Sequence, residues 1–197
     1  MKRSGLESGF TLIEVLVTFL VIALGLLGLA ALQVNTINNA FEAYQRALVT
    51  ALVDDMADRL RMNPQAVSSG AYSPFNPDAV CISATTTTEM TAKLTPGDRA
   101  SHDQCQWSDL IDGLAVTAAA GDDKGIAAPI GAMGCIEMLT GSGSGSGESV
   151  ARVSVAWQGI TAQAAPLATC GADSFNDPDG NPNEAYRRVV YRDVVAR

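Results

Sequence analysis

From position 15 to position 32 the chain carries eighteen consecutive residues without a formal charge, most of them Leu, Val, Ile or Ala. A helix of about 20 apolar residues crosses the hydrocarbon core of a bilayer. Counted from Phe10, the run reaches that length with a single exception, Glu14, and the next charged residue is Glu42. A carboxylate inside a membrane helix costs roughly 2.5–3.5 kcal/mol at the centre and less near the edge. Glu14 therefore either sits at headgroup level, steadied by the positive end of the helix dipole, or answers an opposite charge.

The residues before the run decide between these readings. The first nine are short and begin basic, with Lys2 and Arg3. A secretory signal places its apolar region before the cleavage point. Here the small residue Gly9 precedes the apolar region, so cleavage after Gly9 leaves the helix on the mature chain. Positive residues stay on the cytoplasmic side, which puts everything after the span outside the inner membrane.

Gly9-Phe10-Thr11-Leu12-Ile13-Glu14-Val15-Leu16 resembles the prepilin signature of type IV pilins and pseudopilins. The resemblance implies that a prepilin peptidase cleaves after Gly9 and methylates the new N-terminal Phe10. Glu14 then becomes the fifth mature residue, and its partner is the ammonium of Phe10 or of a neighbouring subunit. Further likeness lies in residues 22–33, in Gln104-Cys105-Gln106-Trp107, in Val153-Ser154-Val155-Ala156-Trp157 and in Tyr186-Arg187-Arg188-Val189-Val190. These are similar to minor pilins of the PilV type. That family implies a subunit that primes type IV pilus assembly and joins other minor pilins at the fibre tip beneath an adhesin. The implied partners are the prepilin peptidase, other minor pilins, the major pilin, the tip adhesin and the inner-membrane assembly platform; no cofactor is implied. A minor pseudopilin of type II secretion and a DNA-uptake pilin are the alternative readings. A membrane-anchored enzyme is a third, for which the sequence offers no catalytic constellation, so no enzymatic activity is expected.

The resemblance implies an α+β fold: one long N-terminal helix packed against an antiparallel sheet. The residue pattern agrees. Neither Gly nor Pro occurs between Leu32 and Asn63, and Pro64 stops the helix. Helix from Phe10 to Met62 measures about 80 Å at 1.5 Å per residue. Val34, Ile37, Phe41, Tyr44, Leu48 and Ala51 form one apolar row, and Leu48, Leu52, Met56 and Leu60 a second. Together they make a stripe wide enough to lie on a sheet. Glu42, Gln45, Arg46, Asp54, Asp58 and Arg61 are assigned to the opposite, solvent face. The organisation expected is a leader at 1–9, a membrane and assembly helix at 10–33, its amphipathic half at 34–63, and a periplasmic head at 64–197.

Within the head, residues 65–104 show little pattern and read as loop or irregular strand. A short helix starts near Trp107 and ends at Gly113, with its large side chains in the core. Residues 134–139, 149–157 and 185–195 alternate as strands, and the Gly-Ser tract at 141–147 joins the first two. An antiparallel meander is expected.

Net charge is −8, and loss of Lys2, Arg3 and Glu7 with the leader takes it to about −9. Such acidity opposes a general electrostatic grip on nucleic acid. Arg187, Arg188 and Arg192 are the nearest basic grouping, and read as charged side chains of an edge strand. Four cysteines, Cys81, Cys105, Cys135 and Cys170, suit an oxidising compartment. Of three connectivities, short loops favour Cys81–Cys105 with Cys135–Cys170. One histidine, His102, gives no zinc pattern and no hydrolytic triad, and reads as an exposed loop residue. Asp177, Asp179, Asn181 and Asn183 place oxygens at alternate positions around Gly180, a weak echo of a calcium loop. Two prolines and the early glycine favour a polar turn instead.

Overall fold

The computed structural model describes residues 9–79, 95–113, 128–139 and 149–196. The chain divides into two units, Met1–Phe41 and Glu42–Arg197. Helix α1, Leu12–Met62, contributes to both and stays helical through Gly25 and Gly28. Helix α2, Pro64–Ser68, and helix α3, Pro96–Ile111, follow. Strands β1 (Met133–Met138), β2 (Ser149–Gln158) and β3 (Arg187–Ala196) complete the second unit.

The strands form one antiparallel meander in the order β1-β2-β3. The register pairs Cys135 with Ser154 and Arg187 with Gln158. Alternation sends Ala151, Val153, Val155 and Trp157 of β2 into the main core with Ile136 and Val194. Val49, Val53, Met56 and Leu60 of α1 and Trp107 of α3 meet them there. The long helix packed on a three-stranded antiparallel sheet is the α+β arrangement expected, and it fits the type IV pilin fold.

The buried stripe of α1 keeps Met56 and Leu60 of the second expected row but is rotated away from the first. Gln45, Val49, Val53, Met56, Ala57 and Leu60 are buried, whereas Val34, Ile37, Tyr44 and Ala51 are exposed and Leu48 and Leu52 lie on the border. Gln45 also moves off the solvent face. Its Oε1 accepts the Ile130 amide at 3.1 Å, so a buried amide side chain satisfies a loop backbone group. Asp54, also assigned to solvent, is half-buried and meets Arg192 at 2.9 Å.

Helix α3 begins eleven residues before the expected start at Trp107. Its signal is a capping box: the Thr95 hydroxyl accepts the Asp98 amide, and the Asp98 carboxylate accepts the Thr95 amide. Pro96 occupies the first turn, where its missing N–H costs nothing. His102 accordingly lies on a helix, half-buried, rather than in an exposed loop. Pro64 plays the same part for α2 just after ending α1. The helix at Trp107 stops at Ile111, and Gly113 turns the chain with φ +73°.

A polar network fastens α3 to α1. Tyr72 is buried and donates to Asp103 Oδ2 at 2.6 Å; Asn63 Nδ2 donates to the Tyr72 oxygen and to Pro96 O. Arg59 reaches Asp55, Asp103 and Gln106. Burial, with the Asp103 carboxylate beside it, pushes the Tyr72 phenol far above its ordinary range. Trp107 Nε1 donates to Leu52 O at 2.8 Å, so the largest buried side chain leaves no orphan donor.

Candidate functional site: the N-terminal segment

Gly9 and Phe10 precede α1 outside any helix or strand, and Phe10 is 85% exposed. The Thr11 carbonyl opens the helix by accepting the Glu14 and Val15 amides at 3.1 and 3.4 Å. Glu14 thus sits in the first turn of α1, where unpaired amides favour a carboxylate. From Leu12 to Ile37 the large apolar side chains of this unit are all exposed. No soluble fold benefits from such a surface. The two hydroxyls on it are answered within the helix: Thr18 donates to Val15 O at 2.8 Å and Thr36 to Leu32 O at 2.9 Å. Internal satisfaction of polar groups is what a hydrocarbon environment demands. By length and composition α1 is compatible with a single-pass membrane anchor.

Residues 6–30 match the family model of the prokaryotic N-terminal methylation motif. The match supports a type IV pilin-like protein. For a pilin-like chain the motif implies processing by a prepilin peptidase and assembly in the membrane. It also suggests a structural protein rather than an enzyme. No curated protein and no solved structure matches the chain.

The other candidate residues lie in the head. Cys135 of β1 and Cys170 are joined by a disulfide with their Cα atoms 5.8 Å apart. Cys105 lies buried on α3; its expected partner, Cys81, is outside the described residues, as is the Gly-Ser tract. At the calcium candidate, Asp177 Oδ1 accepts the Asp179 and Asn181 amides at 3.0 and 2.9 Å and also faces Asn181 Nδ2. Asn183 Oδ1 accepts the Ala185 amide. These oxygens close a local turn with an Asn176–Pro182 bridge at its neck. Among the described residues no group of three or more His, Cys, Asp or Glu side chains is arranged to hold a metal.

Sequence reasoning missed the role of three residues that fix the long loop after β2. Glu42 of α1 accepts the Ile160 and Thr161 amides, the Thr161 hydroxyl and Gln163 Nε2, at 3.0–3.3 Å. Arg187 is not a solvent-facing edge charge; it is buried and bonded to loop carbonyls. Arg188 is also mostly buried, donating to Ala185 O and Thr161 O. A carboxylate on a helix and an Arg pair on a strand have no local pattern that marks such roles. They become legible only when the fold brings distant backbone to them.

Proposed function

We propose that this chain is a minor pilin of the PilV type, one that primes assembly of a type IV pilus and takes a place in its tip complex. The observation that carries the reading is the methylation motif at the head of an exposed apolar helix with Glu14 as its lone charge. In this reading Gly9 precedes the cut, and Phe10 becomes the methylated N-terminus. The subunit waits in the inner membrane with residues 10–33 in lipid and its head in the periplasm. A carboxylate in hydrocarbon is tolerable when it is paired. The pairing of Glu14 with a Phe10 ammonium of a neighbouring subunit therefore favours docking over solitary residence. Other minor pilins, the major pilin, a tip adhesin and the inner-membrane platform are the partners of this role.

Two measurements test it. Mass spectrometry of the protein recovered from its native membrane should show N-methylated Phe10 at the terminus; a chain that keeps Met1 defeats the reading. Glu14→Ala supplied as the sole copy should leave membrane insertion intact and reduce piliation. Piliation at the wild-type level, or a defect in protein secretion without loss of pili, would move the chain out of the pilus.

A further inference from the structure

Arg187, the first residue of β3, is 4% exposed although a guanidinium stays charged. A charge so placed is costly unless its donors are filled. They are filled by backbone. Nη1 donates to Ala168 O at 2.5 Å and to Cys170 O at 2.8 Å, and Nη2 donates to Pro166 O at 3.2 Å. Nε donates to Glu184 Oε2, and the other Glu184 oxygen accepts the Asp173 amide at 2.8 Å. Three carbonyls from one segment without helix or strand, 166–170, therefore converge on one side chain of the sheet.

That segment ends on Cys170. The next residue, Gly171, has φ +66°, and a side chain there would run into Phe175 and Ala156. The chain is thus pressed against the second face of the sheet, where Ala156, Cys170 and Phe175 form a small cluster with Cys135 and Val189. None of the Arg187 bonds uses a sulfur atom. Oxidation of Cys170 therefore neither makes nor breaks one of them.

We infer that Arg187 is a positioning residue for formation of the Cys135–Cys170 disulfide, its carbonyl clamp holding Cys170 beside β1 while both thiols are still free. The co-reactant is a disulfide oxidant, which oxidised glutathione represents. The Cys135 thiolate, the more exposed of the two, attacks one oxidant sulfur, forms a mixed disulfide and expels one thiolate. The clamped Cys170 thiolate then attacks the Cys135 sulfur, closes the protein disulfide and expels the second thiolate. One oxidant disulfide is reduced for each protein disulfide made, and the two protons lost by the cysteines end on the two released thiols. Arg187 acts only through backbone oxygens. It raises the local concentration of one thiol at the other and biases the choice among three pairings of four cysteines.

The full chain in detergent micelles supplies the test. In the double variant Cys135→Ser, Cys170→Ser, the Ala172 and Ser174 amides, which bond to Thr169 O and Gly171 O, should exchange at least about tenfold slower than in unfolded chain. Adding Arg187→Ala should abolish that protection while the β2 amides of Val153 and Val155 keep theirs. Exchange of the loop amides at unfolded rates in the double variant overturns the inference, whether or not β2 is also lost. So does protection unchanged by Arg187→Ala, and so does loss of β2 protection with it, which assigns Arg187 to the whole head. In a second arm, reduced protein is placed in glutathione buffer and the Cys135–Cys170 bond is followed by alkylation and peptide mapping. Arg187→Ala should form it at least about tenfold more slowly, since even one charge-assisted bond is worth that much, and Arg187→Lys should fall between. Equal rates in all three overturn the inference.

Discussion

Glu42 of α1 and Arg188 of β3 form an ion pair at 3.3 Å across 146 positions of sequence. The same carboxylate holds the loop between them through the Ile160 and Thr161 amides. One side chain therefore binds helix, loop and terminal strand of the head together.

The titration of Glu42 follows from these bonds. Burial disfavours its charge, but the Thr161 amide and hydroxyl, Arg188 and the Ile160 amide outweigh burial and hold the carboxyl below its unfolded value of 4.5. Stability from the charge is then full above that value and is lost as pH falls through the lower folded-state value. Glu42→Gln should destabilise the head by about 1–3 kcal/mol at neutral pH. The gap between variant and wild type in thermal unfolding should narrow below about pH 4.5.

Gly134 of β1 has no room for a methyl group. A Cβ there would stand 2.6 Å from a Trp107 ring carbon and 2.7 Å from Ile111 Cδ1. Trp107 cannot step aside, because it is fully buried and hydrogen-bonded to Leu52 O. Gly134→Ala should cost about 1–3 kcal/mol by overpacking. Gly25→Ala meets nothing within 4 Å and should leave unfolding of the head unchanged.

The rotated stripe of α1 is open to the same measurement. Met56 is fully buried, and Met56→Ala should cost about 2–5 kcal/mol. Tyr44 is 55% exposed, and Tyr44→Ala should stay within about 0.5 kcal/mol. Equal costs at the two positions would restore the stripe drawn from the apolar rows.

The Cys135–Cys170 bond closes a loop with a sequence separation of 35. Chain-entropy reasoning gives such a loop about 2–4 kcal/mol. Reduction, or replacement of both cysteines by serine, should lower the denaturation midpoint by a corresponding amount.

Long elements with one period were legible in the sequence. The apolar run, the stop at Pro64 and the three alternating strands needed only local pattern, and each strand end falls within two residues of its expected place. The register of α1 was not legible. Its buried face centres on Gln45, Val49, Val53 and Ala57, and the apolar rows beside it gave the wrong centre. Thr95 and Asp98 carried the start of α3 in plain view as a capping box, yet the unpatterned residues before them hid it. Glu42, Arg187 and Arg188 were unreadable for another reason: most of their partners are main-chain atoms brought to them by the fold, and no side-chain pattern encodes those. At the N-terminal segment the whole motif is contiguous, so sequence alone exposed it.

Strand β3 comes after every other described element of the head, yet Val194 and Ala196 share the core with Val49 and Val53 of α1. A chain made from its N-terminus delivers the sheet-facing stripe of α1 first and β3, which helps cover it, only after β1 and β2. Contacts so far apart in sequence form slowly, and uncovered apolar surface is prone to association in the meantime. The stripe of α1 consequently stays partly uncovered until Val194 and Ala196 are in place, so completion of the core waits on β3.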